Sequence, residues 1–418
     1  MLQPFFLCGG CAQHSGLVFF HSACYHKNII TKKHLQKVVH ALKASEKLSA
    51  SEVRRINRNR VYMYLYSQEL PKTKRDIEQN LHVSMPTVTQ NLKELLEKEL
   101  IAYVGTEEST GGRKARQIAI NPLARFAVGI ELSPKHIRYV AVDLCAREIA
   151  FSEIAEQFRD DESFFALLAG QLEEFLDAFA LDRAKLLGIG ITVPGIVDRE
   201  EGVVTIAPVL GVRKLLLSQI TDQIPYPCFV QNDASAGGMA EWWHSRMEGS
   251  MAYLFLGKGV GGSIFLEGKL YNGEHGRSAE FGHTCIVPGG KPCNCGRRGC
   301  LEAYCSTARL TDDLGKSSEE FFAALEAGDA ECLRIWREYL DYLALGIHNI
   351  LMAFDCSVML GGVISPYLTE YLPALETRLQ RLSAFEQEPG FLHAGACGSK
   401  ANCIGVALYF IKQFIEQV

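Results

Sequence analysis

Between Gly282 and Cys300 the chain reads GHTCIVPGGKPCNCGRRGC, placing one imidazole and three thiols in the order His283-x9-Cys293-x-Cys295-x4-Cys300. One nitrogen and three sulfurs are a donor set of zinc type, enough to close a tetrahedral structural site. The intervening GGKP and GRRG supply the tight turns that bring thiolates together. Arg297 and Arg298 favour the thiolate forms and offset the negative charge of a three-thiolate centre. A redox loop is the rival use of the same residues, but C-x-C is a less usual exchange pair than C-x-x-C. Cys285 and Cys305 are read as bystanders.

A second constellation is VQNDASAGGMAE, in which Asn232 and Asp233 stand where a strand meets a helix. In an α/β sheet that junction is a natural crevice position.

These residues need a scaffold, and the chain supplies one from Phe126 onward. AVGIEL, IRYVAVDL and EIAFSEI read as three successive strands, and FFALLAGQLEEFLDAFAL as an amphipathic helix. LLGIGITVPGIVD reads as a buried strand running into a glycine turn, CFVQND as a strand, and SMAYLFLGKGVGGSIFLEGKLY as a hairpin with a glycine-rich bend. Helical sequence, the strand and turn CSVMLGGV, and a last helix IGVALYFIKQFIEQ complete the order. Strands alternating with helices predict two α/β lobes. No repeat of fixed short period is visible.

Before Phe126 the pattern differs. VRRINRNRVYMYLYSQ, KTKRDIEQNL and MPTVTQNLKELLEKELI have helical spacing, with Pro86 acceptable in the first turn of the third helix and Ser84 placed to cap it. Val88, Leu92, Leu95 and Leu96 form its apolar stripe, leaving Thr87, Gln90, Asn91 and Lys93 mostly away from it. IAYV and RQIAI then read as strands flanking GTEESTGGRKA. Three helices and a hairpin predict a winged helix-turn-helix over residues 51–122, with a second unit over 123–418. Residues 1–50 are an extension without periodicity. Cys8, Cys11, His14, His21, Cys24 and His26 fall there, at spacings that fit no zinc pattern.

Charge divides at the same place. The first 125 residues carry 19 Lys+Arg against 10 Asp+Glu, a net of +9, and the remainder carries 24 against 38, a net of −14. A basic head on an acidic body suits a polyanionic partner. No apolar run reaches membrane-span length and the start of the chain lacks a basic n-region, so neither a membrane span nor a signal peptide is expected. Most of the 14 cysteines are scattered singly, as expected of small buried hydrophobes in a reducing cytoplasm.

The stretch AEFGHTCIVPGGKPCNCGRRGCLEAYCS resembles the signature of the ROK family (repressors, open reading frames and kinases): a glycine–histidine pair, then C-x-C-G-x-x-G-C-x-E. The resemblance covers roughly residues 53–418. It implies an α/β two-lobed actin-like, sugar-kinase ATPase fold with ribonuclease H-like lobes, preceded here by the winged helix-turn-helix. It implies structural zinc on His283, Cys293, Cys295 and Cys300. It places Asn232, Asp233, Glu280, His283 and Glu302 around a sugar, close to the TVPGIVD loop at Pro194 and Gly195. His283 would hold the metal through one ring nitrogen and face the ligand with the other. In family kinases the Asp matching Asp233 is the general base for a sugar hydroxyl, since a carboxylate can both accept the proton and hydrogen-bond the ring.

The phosphate-handling parts depart from the family pattern. Where kinases begin with an Asp-x-Gly-Gly-Thr-Lys loop, this chain has GIELSPKH, with Glu131 for the Asp and Ser133 and Pro134 where glycines belong. Pro134 has no amide hydrogen to offer a phosphate. GKGVGGS keeps Gly257, Gly259, Gly261 and Gly262 but carries Lys258 where Thr is usual, and LGGV at Leu360–Val363 is a shortened glycine run. APVLGV has Val209 where family members often carry Asn. The expectation is a protein with no catalytic residue, Asp233 being a vestigial base. The reading is a cytoplasmic sugar-responsive regulator, by resemblance a repressor, that binds a sugar or sugar phosphate and a double-stranded DNA operator as a homodimer or dimer of dimers. The alternative is an ATP-dependent sugar kinase with an appended head. For DNA, the family arrangement points to Ser84, Thr87, Thr89, Gln90, Asn91 and Lys93 at the major groove, and to Arg113 and Lys114 at a narrow minor groove.

Overall fold

The computed structural model describes residues 49–106, 115–247, 249–385 and 390–418. Helix α1 (Ala50–Tyr66) starts where Ser49 and Glu52 close a capping box. Helix α2 (Lys74–Leu81) starts on a second box between Thr73 and Asp76 and ends at His82, which adopts the left-handed conformation at φ 53°. Both boxes follow from a Ser or Thr three residues ahead of an acid, which satisfies two orphan amides reciprocally. Helix α3 (Met85–Glu97) buries Val88, Leu92 and Leu95 as the stripe predicts. Strands β1 (Ile101–Thr106) and β2 (Arg116–Ile120) pair antiparallel with Ile101 opposite Ile120. Residues 1–48, with their cysteines and histidines, and the tip that carries Arg113 and Lys114 lie outside the described residues.

The next lobe is built on β3 (Phe126–Leu132), β4 (His136–Asp143), β5 (Glu148–Ala155), helix α4 (Glu162–Ala178) and β6 (Leu186–Val193). A small antiparallel sheet follows, formed by β7 (Ile196–Asp198), β8 (Val203–Ala207) and β9 (Val212–Leu216). After the short helix α5 (Leu217–Thr221), β10 (Cys228–Asn232) joins the main sheet, whose order is β10-β6-β3-β4-β5.

The other lobe opens with α6 (Asp233–Ser245), then β11 (Met251–Leu256), β12 (Val260–Leu266) and β13 (Lys269–Leu270). Helices α7 (Glu302–Cys305), α8 (Ser318–Glu326) and α9 (Ala330–Phe354) lead to β14 (Ser357–Gly361). Helices α10 (Ser365–Leu368) and α11 (Leu372–Leu382), strand β15 (Leu392–Ala394) and helix α12 (Ala401–Gln417) finish the chain. This sheet has the order β15-β14-β11-β12-β13. In both main sheets the first strand pairs antiparallel with the second and parallel with the fourth. The second sheet therefore repeats the plan of the first, although no repeat is visible in the sequence.

Helix α12 leaves its own lobe and packs on β3 and β6 of the other, while also facing α6. The approach is closest at Gly405, where an added Cβ would lie 1.7 Å from Ala236 O. Nothing larger than glycine fits that contact without parting the helices. One hydrophobic core runs from Val88 and Leu95 of the amino-terminal unit through Val142 and Leu144 to Leu408 and Ile411 of α12. Two buried polar contacts reinforce it. Asn59 Nδ2 donates to Ile415 O at 2.9 Å, and Tyr66 Oη donates to Leu144 O at 2.6 Å. Polar groups buried this deeply are tolerated because each has its partner.

Candidate metal centre and ligand cleft

The loop from His283 to Cys300 is folded by its own backbone. Cys293 N donates to Arg297 O at 2.8 Å and Gly296 N to Cys293 O at 3.0 Å, which turns Cys295 back toward Cys293. Gly299 has φ 83°, and an added Cβ there would meet Val287 O at 1.8 Å, so only glycine lets the next residue, Cys300, reach the cluster. The donor atoms of His283, Cys293, Cys295 and Cys300 all lie within 4.8 Å of one another. Cys293 Sγ is 3.8 Å from His283 Nδ1, and Cys295 Sγ is 3.8 Å from Cys300 Sγ. The fourfold set can hold a metal ion. Cys305 is fully buried behind it, and burial drives its thiol well above the ordinary range.

Glu302, at the start of α7, joins this loop to the cleft. Its Oε1 lies 3.5 Å from Cys293 Sγ, and its Oε2 accepts from Val260 N at 3.0 Å, beside the glycine-rich bend. Glu280 stands at the cleft rim with an accessible side chain, but the surrounding atoms desolvate its carboxyl and raise its pKa. Glu302 adds to that rise and His283 opposes it.

Asn232 and Asp233 fall where β10 gives way to α6. Asn232 caps the helix by accepting from Ser235 N at 2.9 Å, and its Nδ2 donates to Gly195 O at 3.0 Å and to Asp233 Oδ1 at 3.1 Å. Asp233 Oδ1 also accepts from Ala234 N at 2.8 Å. The TVPGIVD loop is thereby tied to the Asn–Asp pair, with Pro194 and Gly195 both half-buried beside it. Desolvation pushes the Asp233 carboxyl up to about 7, and the charges of Glu131 and Glu280 push in the same direction. Glu280 thus lies within electrostatic reach of Asp233, His283 and Glu302.

Sequence reasoning missed the buried set under this floor. Glu131 receives Arg138 at 2.9 Å and Asn402 Nδ2 at 2.8 Å. Glu131 and Arg138 are directly opposite in the β3–β4 register, so their pairing followed from the hairpin; Asn402 comes from α12 and left no local signal. Glu241 of α6 is also buried and accepts from Ala396 N at 2.8 Å and Cys397 N at 2.9 Å.

On α3, Ser84, Thr89, Gln90 and Lys93 are exposed and Thr87 is half-buried. Two expectations change. Ser84 occupies the cap position but makes no capping bond, its hydroxyl lying 3.0 Å from Thr87 Oγ1 instead. Asn91 is on the buried side, 4% exposed, and its Nδ2 donates to Thr87 O at 2.9 Å. Asn91 lies three residues after Val88 and one before Leu92, so it shares the inward face of the helix. Gln90 and Lys93 stay outward, near Glu94 and Glu97 respectively.

Two lobes with repeated sheets and a crossing carboxy-terminal helix define the actin-like, sugar-kinase class of fold. Residues 128–413 match the ROK family, and the chain belongs to it. The chain is similar to the xylose repressor of Bacillus subtilis, 25% identical over 368 residues that cover 83% of this chain and 93% of that protein. It is similar to a glucokinase of Halalkalibacterium halodurans, 27% identical over 267 residues, covering 58% of this chain and 81% of that one. Among solved structures, a ROK family transcriptional regulator homologous to the Escherichia coli MLC protein superposes with a TM-score of 0.68 at 26% identity, over 87% of this chain and 97% of that chain.

Proposed function

We propose that the chain is a cytoplasmic, sugar-responsive transcriptional repressor. The observation that carries this is the union of two parts in one core: three helices and a hairpin at one end, and a sugar-kinase fold with a gathered acidic cleft at the other. In this reading residues 51–122 are a winged helix-turn-helix, residues 123–418 are the effector domain, and residues 1–50 carry no assigned role. Ser84, Thr87, Thr89, Gln90 and Lys93 present the outer face of α3 to the major groove, and Arg113 and Lys114 serve the minor groove. Asn91 supports the helix from inside. A homodimer, or a dimer of dimers, would read a palindrome with two such heads.

The metal is zinc. A tetrahedron with zinc–sulfur bonds of about 2.3 Å has a sulfur–sulfur edge of about 3.8 Å, which agrees with the 3.8 Å between Cys295 and Cys300. His283 and the three thiolates would hold the ion, which supplies a structural staple and fixes Glu280, His283 and Glu302 in register. Pro194, Gly195, Asn232, Asp233, Glu280, His283 and Glu302 would then bind a sugar or sugar phosphate. Sugar favours one arrangement of the lobes, and α6 and α12 carry that preference into the shared core. DNA affinity changes only by the difference in sugar affinity between the two arrangements.

The similarity to a glucokinase and the protonated-range Asp233 favour a second reading, a sugar kinase. Against it, the Ser133 amide is occupied by His136 O at 3.1 Å, Pro134 has none, and Glu131 is held by Arg138 and Asn402. The two readings part in one experiment. The purified protein is used to select duplexes from a random library, and the selected DNA is titrated across a sugar panel while ADP formation is followed. The repressor reading expects a selected palindrome released by one sugar, with no ADP. Failure to enrich any duplex at moderate salt overturns it, and ADP formation abolished by Asp233→Asn establishes the kinase.

A further inference from the structure

Cys285 lies opposite Cys300 in an isolated antiparallel bridge. The bonds flanking it run from Ile286 N to Gly299 O at 2.8 Å and from Leu301 N to Thr284 O at 2.9 Å. That pattern makes the two cysteines a non-hydrogen-bonded pair, the register in which facing Cα atoms approach to about 4.5 Å and side chains come closest. A disulfide requires a Cα separation of roughly 4.4–6.8 Å, so the backbone is already placed for one. Cys285 Sγ leans over the opposite strand, 3.3 Å from where a Cβ on Gly299 would sit. Both thiols are free, Cys285 exposed and Cys300 buried.

The two differ in role. Cys300 belongs to the fourfold donor set and Cys285 does not. Ligand thiolates would share their charge with an ion they held, whereas Cys285 is open to solvent, outside the donor set, and its Sγ donates only a long contact to Arg298 O at 3.9 Å. We propose that Cys285 is a peroxide-reactive thiol that captures the ligand Cys300 as a disulfide and so opens the metal centre. The proposal rests on the reading of His283, Cys293, Cys295 and Cys300 as a zinc site.

The chemistry balances with hydrogen peroxide as oxidant. The Cys285 thiolate attacks one peroxide oxygen, the O–O bond breaks, and Cys285 becomes a sulfenic acid with release of hydroxide. Cys300 Sγ then leaves the metal and attacks the Cys285 sulfur. The S–S bond forms, the sulfenic oxygen departs as hydroxide, and the thiol proton and one from solvent give two waters in all. Two electrons pass from the two sulfurs to the peroxide. Only His283, Cys293 and Cys295 would remain to hold an ion, and the segment that positions Glu302, two residues beyond Cys300, would lose its staple.

The test uses the full chain. Metal content is measured first; protein that purifies without zinc overturns the metal reading before any oxidant is added, and the switch with it. Zinc-loaded wild type and Cys285→Ser are then exposed to hydrogen peroxide, with released zinc read by a chromogenic chelator and disulfides mapped by peptide mass. Before oxidation the two proteins should hold the same zinc and melt alike, because Cys285 is not a donor. After oxidation, wild type should release its zinc with a Cys285–Cys300 peptide, and the variant should release it at least about tenfold more slowly. Equal release rates, or a first disulfide joining Cys295 to Cys300 in wild type, would overturn the proposal.

Discussion

Replacing Asp233 with Asn removes one ionisation and leaves the local frame in place, since the amide oxygen can still accept from Ala234 N and Asn232 Nδ2. The folded carboxyl titrates at about 7 against a model value of 3.8. Its folded pKa is raised, so its contribution to stability is complete below the unfolded pKa and is lost as pH rises through about 7. Roughly two pH units of that loss lie between pH 5 and pH 7, and at about 1.4 kcal/mol per unit they set an upper limit of about 3 kcal/mol. Asp233 is half-buried, and screening by water reduces the effect to about 1–2 kcal/mol. The assay is urea unfolding of wild type and Asp233→Asn at pH 5 and at pH 8.5, without sugar. Any pH dependence of the metal centre is common to both proteins and cancels. The variant should gain on wild type by about 1–2 kcal/mol between the two conditions. A stability difference that is independent of pH, or that grows toward acid, refutes the picture of a desolvated acid pressed by Glu131 and Glu280.

Replacing Arg113 and Lys114 together with Ala should weaken DNA binding and flatten the slope of log affinity against log salt by up to about 1.8, the value for two phosphates at 0.9 each. An unchanged slope, measured by fluorescence anisotropy on selected DNA, would show that the hairpin tip does not touch the backbone. Asn59→Leu leaves Ile415 O without its buried donor and should loosen the joint between α1 and α12. Sugar affinity should stay within about twofold of wild type while the sugar-induced change in DNA affinity shrinks by roughly threefold or more, within the 1–3 kcal/mol range of allosteric coupling. Calorimetry and anisotropy on the same protein decide this, and an intact DNA response would dismiss Asn59 as a coupling residue.

Much of the local structure was legible in local sequence. The apolar stripe Val88, Leu92 and Leu95 and the strand runs of both lobes depend on neighbours within a few residues and appear where their patterns put them, whereas the cap read at Ser84 does not form and the boxes at Ser49 and Thr73 were not read. The clustering of His283, Cys293, Cys295 and Cys300 was legible for the same reason. His283 and Cys300 are 17 positions apart, and turns between them can fold the loop on itself. Asn91 was misplaced because periodicity was read from apolar residues alone. A side chain that satisfies itself on Thr87 O can occupy an inward position without being apolar.

The second sheet repeats the first without a repeated sequence, because strand order is set by which backbones pair and many side-chain sets can cover the same plan. Glu131 and Asn402 meet across 271 positions, and Asn59 and Ile415 across 356. No local pattern encodes such meetings; they exist only once α12 has crossed between lobes at Gly405. The opposition of Cys285 and Cys300 is intermediate, close in sequence but dependent on strand register. Residue type and spacing determined which sulfur and nitrogen donors, carboxylates and outward polar groups this protein has. Tertiary packing alone decided which of them share a charge, a core or a bridge, because those relations are set by distance through space.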